Sequence, residues 1–135
     1  MMNAKEYLSQ AFYIDKQLKA KVEQLSVLRE LATATSQPLS DMPGSPNRTI
    51  DRMERSIIKI VDMEKEIAQE VDRLLDLKSE IAQCVKNVED IDCRLILEFR
   101  YLCFMSWEEI AAELNFTVRN IHILHGKALK LVEVP

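Results

Sequence analysis

Glycine and proline are nearly missing from this chain, with two of one and four of the other in 135 residues. Glycine weakens helices through backbone entropy and proline through its missing N–H, so their scarcity leaves long helices open. Aromatic residues make up only 6%, which leaves little of the aromatic content that favours strands. The expected fold class is all-α. No apolar run reaches the ~20 residues a bilayer span needs; the longest, "IDCRLILEFRYLCFM", is broken by Arg94, Glu98 and Arg100. The opening "MMNAKEYLSQ" lacks the basic-then-apolar layout of a signal peptide. Three cysteines are an odd number, so a disulfide framework is not expected and a reducing cytoplasm is. Cys103 with His122 and His125 fits no common zinc spacing, and the thiols read as buried or half-buried. There is no phosphate-cradling glycine loop, no nucleophile motif and no metal constellation. No enzyme, cofactor, small-molecule substrate or membrane association is therefore expected.

What the chain does have is helical periodicity. Between Ala4 and about Ser36, Leu8, Ala11, Leu18, Val22, Leu25, Leu28 and Ala32 recur in steps that mostly place them on one helix face. "SQPLSDMPGSPNR" then gathers three of the four prolines and one glycine, a clear break. Ser45 followed by Pro46 reads as a capped start to a second helix. In that helix Met53, Ile60, Ile67, Leu74, Ile81 and Val88 stand seven apart without exception. Ile50, Ile57, Val71 and Val85 fill most of a companion series, with Glu64 and Lys78 in its remaining places, where they either set register or lie at a solvated edge. Residues 1–88 are thus expected to form an antiparallel helical hairpin: helix 4–36, loop 37–45 and helix 46–88. The second helix would be about 60 Å long. Ile58, Val61, Leu75 and Leu77 fall off the heptad series, and such surplus apolar surface points either to a second partner or to packing on the C-terminal domain. Self-association, with a dimer favoured, is expected through Met53, Ile57, Ile60, Ile67, Leu74 and Ile81.

After "NVEDID" the heptad stops, and residues 89–135 read as a three-helix domain. A first helix covers about Ile91 to Phe104. Ser106 and Glu109 form a capping box that starts a second, ending near Leu114. Thr117 caps a third, running to about Val132. Two helices joined by so short a turn make a helix-turn-helix. Ile110, Ala111 and Leu114 are expected to face inward, with Phe116 plugging the turn and Ile121 and Leu124 closing the core. Asn115 stands where a positive φ is wanted, the conformation asparagine tolerates best after glycine.

The stretch "LEFRYLCFMSWEEIAAELNFTVRNIHILHGKALKLV" resembles region four of bacterial sigma factors, through Arg100-Tyr101, Glu109-Ile110-Ala111 and Lys127-Ala128-Leu129. The whole chain is similar to a family of small phage and prophage proteins akin to late-gene transcription activators. That resemblance implies a transcription regulator that binds duplex DNA, with host RNA polymerase as a possible partner. The sigma-like match covers about a third of the chain, and no sigma region two is present.

The outward candidates for DNA contact are Thr117, Arg119, Asn120, His122 and Ile123, with Lys127 and Lys130 toward the backbone and Ser106 at a helix N-terminus that can hold a phosphate. Arg119 suits guanine, Asn120 adenine and Ile123 a thymine methyl. Trp107 is read as a core or rim residue in preference to a DNA contact. His125 either packs beside Leu124 or faces solvent. Charge cuts both ways. Residues 88–135 carry five Lys/Arg against eight Asp/Glu, whereas residues 115–132 carry three bases and no acid. A positive third helix on an acidic support leaves two classes open: a DNA reader, or a protein-interaction module that binds RNA polymerase or another regulator without reading DNA.

Overall fold

The computed structural model describes residues 2–36 and 46–135. Ser45 and the 37–45 loop, where the start of the second long helix was expected to be capped, lie outside them. Among the described residues every regular element is helical: α1 (Ala4–Ser36), α2 (Pro46–Lys86), α3 (Ile91–Leu97), α4 (Trp107–Leu114) and α5 (Val118–Leu131). α3 runs on into one π-helical turn, Glu98–Leu102.

The chain divides into two compact units, residues 16–72 and residues 1–15 with 73–135. The division thus runs across both long helices and not after residue 88. Exposure follows it. In the first unit the described residues form a helix pair with no third layer among them, and Ile60, Met63 and Ile67 remain half-buried. Lys21 meets Glu70 at 3.7 Å, and Arg29, later in α1, meets Glu64, earlier in α2, at 2.6 Å. The two segments therefore run antiparallel. In the second unit Leu8 and Ala11 of α1, and Ile81 and Val85 of α2, lose all contact with solvent. The Tyr7 hydroxyl donates to Glu80 Oε2 at 3.2 Å. Phe12 meets the edge of Phe104 at 5.8 Å, and Lys78 Nζ sits 4.6 Å above the Phe104 ring.

The heptad needs one correction. Its main series behaves as expected where it is covered, with Leu74, Ile81 and Val88 buried. The second inward line is not the expected companion series. It is Ser56, Met63, Glu70, Leu77 and Cys84, three residues after the first line, all half-buried or buried. Ile50, Ile57 and Val71 of the expected series are exposed instead, whereas Val85, its last member, is fully buried as expected. A 3.5-residue repeat is satisfied by a partner line at either +3 or +4, and the side on which α1 lies selects +3. Leu77, read as surplus, is therefore core, while Ile58, Val61 and Leu75 are exposed.

Helix ends in the C-terminal region are set by local chemistry. Asp90 caps α3, its side chain accepting from the Cys93 N–H at 3.0 Å. Ser106 caps α4 by accepting from the Glu109 N–H at 3.1 Å, and Thr117 caps α5 by accepting from the Asn120 N–H at 3.1 Å. Asn115 ends α4 in the left-handed region at φ 58°, ψ 40°, with its N–H bonded to the Ala111 carbonyl. Replacing Asn115 with Ala should destabilise the protein by about 1 kcal/mol, because Ala has no side chain to support that backbone; Gly should cost nothing measurable. Urea denaturation of the two variants separates these outcomes.

Candidate nucleic-acid interface

α5 owes its placement to its inner face. Ile121 is fully buried with Ile96 of α3 and Ile110 and Ala111 of α4, and Trp107, Leu114, Phe116 and Leu124 pack against this cluster. The expected inward residues are all here. Ala111 is small where α4 and α5 come together, and Phe116 closes the turn with its N–H on the Ala111 carbonyl at 3.0 Å.

His125, whose burial the sequence left open, is buried at 7% exposure. Its Nε2 lies 2.7 Å from the Tyr101 hydroxyl, and its ring meets Trp107 at 4.6 Å. Burial, followed by the positive charges of Lys5, Arg100 and His122, pulls its pKa down to about 4. Burial pushes the Tyr101 phenol up to about 12. The pair is therefore a neutral, hydrogen-bonded strut between the π-helical turn and α5. Trp107 is half-buried at the centre of this group: the Arg100 guanidinium stacks on it at 4.2 Å and the His122 ring meets it at 4.8 Å. Arg100 also donates to the Met105 carbonyl at 2.9 Å, which fixes the approach to α4. The π-helical turn and its strut had no signal in the sequence beyond two histidines, a tyrosine and a tryptophan at unremarked spacings.

The opposite face of α5 is open. Arg119, His122, Ile123, Gly126, Lys127 and Lys130 are all exposed, and at 100° per residue they share one side of the helix. Asn120 is half-buried at its edge. Thr117 is exposed, but its hydroxyl is committed to the helix cap, as is that of half-buried Ser106. Lys127 Nζ lies 3.2 Å from Asp90 Oδ2. The Cys93 N–H and this ammonium hold the Asp90 carboxyl below the usual carboxylate range. Lys127 thus ties the end of α5 to the start of α3. Gly126 stands in the middle of the open face, and a Cβ built there meets nothing within 4 Å. Internal packing gives no reason for a helix-weakening residue at that position.

The residues expected for self-association are dispersed. Met53 and Ile57 are exposed, Ile60 and Ile67 half-buried, and Leu74 and Ile81 buried within the chain, where they present no surface to a second copy. No helix among the described residues is long and apolar enough to cross a membrane. Compared with known protein families, curated proteins and solved structures, the chain has no match.

Proposed function

We propose that the protein is a transcription regulator of the phage type that binds duplex DNA through α4 and α5, used as a helix-turn-helix with α5 in the major groove. The observation that carries this reading is the division of α5 into two faces. Its inner face is locked by Ile121 and His125, and its outer face presents Arg119, Ile123 and Lys130 with no acid between residues 115 and 132. A helix held rigidly by one face and presenting basic and small groups on the other suits base-edge contact. The sigma-like "EIAAEL" and "KAL" segments support the same reading, since they are α4 and the end of α5. Gly126 supports it too, because its missing side chain allows close approach on the open face. The seven acids against two bases in residues 88–114 predict weak non-specific affinity, since phosphate neutralisation supplies most of that.

Selection from random duplexes, followed by gel shifts at two salt concentrations, tests the proposal. Arg119→Ala should cost about 1–3 kcal/mol of binding and relax preference at one base pair. Gly126→Ala should stabilise the fold by up to about 1 kcal/mol while weakening binding. If no duplex is enriched even at low salt, the open face serves a protein partner instead, with RNA polymerase the first to try by pull-down.

A further inference from the structure

α2 carries a second apolar line on the side its pairing with α1 leaves uncovered. Ile57 is 56% exposed, Ile58 59% and Val61 39%, and Ile50 and Val71 extend the line in both directions. At 100° per residue Ile50, Ile57, Val61 and Val71 fall within an arc of about 80°, with Ile58 about 60° further round on the side away from α1 and Glu64 inside the arc between Ile57 and Val71. The line is about 32 Å long at 1.5 Å per residue. Soluble chains seldom leave so much apolar surface along one helix without an occupant.

We infer that residues 50–71 of α2 are a docking surface for a second copy of this chain, paired antiparallel about a two-fold axis passing near Lys59 and Ile60. The charges beside the line select both the occupant and its direction. Glu54 and Lys65 are exposed, and the helical repeat sets both on the flank of the line away from α1. They stand at equal distances on either side of the midpoint between Lys59 and Ile60. In an antiparallel two-fold pair the same flank of each copy meets, so Glu54 of one copy faces Lys65 of the other, and symmetry repeats the contact. Ile58 then lies opposite Val61, again twice. A parallel pair would set this flank against the opposite one, and Glu54 and Lys65 would no longer meet. A second copy supplies the apolar line and the complementary charges together, in the order the surface requires. The inference is independent of DNA binding, since none of these residues lies in α4 or α5.

Sedimentation velocity on the full chain across a concentration series, without DNA, is the test. Wild type should associate to a dimer, and the double variant Ile57→Glu/Val61→Glu should sediment as a monomer that keeps the wild-type helical circular dichroism, because both side chains are exposed in the single chain. Glu54→Lys and Lys65→Glu should each raise the dissociation constant by roughly tenfold, since each creates two like-charge contacts. Combining the two should restore wild-type association. A wild-type chain that stays monomeric at about 100 μM overturns the surface, as does a dimer indifferent to Ile57→Glu/Val61→Glu. A combined charge swap that fails to restore association overturns the antiparallel order. Loss of DNA binding in Arg119→Ala with normal sedimentation, or the reverse, keeps this result separate from the DNA reading.

Discussion

Ile121→Ala should lower the unfolding free energy by about 2–5 kcal/mol, while Ile123→Ala, two residues along the same helix, should change it by no more than about 0.5 kcal/mol. The contrast comes from burial alone. Ile121 has no exposed surface and fills the space between α3, α4 and α5, whereas Ile123 is 61% exposed. Truncating Ile121 removes transfer free energy and leaves a cavity that rigid neighbours close only in part. Because the same contact orients α5, Ile121→Ala should also abolish any activity that depends on the open face, whatever its partner. Urea denaturation of both variants, read by Trp107 fluorescence and circular dichroism, is sufficient. Equal midpoints for Ile121→Ala and Ile123→Ala would mean that the inner and outer faces of α5 have been misassigned.

Stability should also fall as pH drops from about 6.5 toward 4, by about 3 kcal/mol attributable to one group. His125 has its pKa drawn down to about 4 from the ordinary 6.5 by burial and by nearby Lys5, Arg100 and His122. Between those two values the unfolded chain binds a proton that the folded chain refuses. The unfolded state therefore holds more protons, and stability must rise with pH across that interval. Above 6.5 the contribution is fully present; below about 4 it is gone. Carboxylates titrate nearby, so the informative quantity is the difference between wild type and His125→Gln, which keeps a polar partner for the Tyr101 hydroxyl but does not titrate. Wild type should show the additional slope between pH 6.5 and 4, and His125→Gln should lack it. Identical pH profiles would place His125 in water and remove the strut from α5.

These two expectations rest on different kinds of information. The inner faces of α4 and α5 were legible from the sequence, because a 3.6-residue repeat is a property of the isolated helix, and Ile110, Ala111 and Leu114 fall on the first and Ile121 and Leu124 on the second by spacing alone. The helix starts at Ser106 and Thr117 and the left-handed stop at Asn115 were legible for the same reason: a cap or a positive φ is satisfied by neighbours within a few residues. The all-α class followed from the near absence of glycine, proline and aromatics. His125 was not legible in this way. A histidine on a helix is buried or solvated according to what the rest of the chain sets against it, and here that is Tyr101, on a π-helical turn, together with Trp107. The second inward line of α2 was misplaced for a related reason. A seven-residue repeat allows partner lines at +3 and +4, and choosing between them requires knowing on which side α1 lies. That single choice buried Leu77 and exposed Ile57. Local sequence thus determined the starts of α4 and α5, the left-handed stop between them and the buried face of α5. Tertiary structure decided which apolar residues of α2 were left uncovered, because solvent exposure depends on neighbours that are distant in the chain.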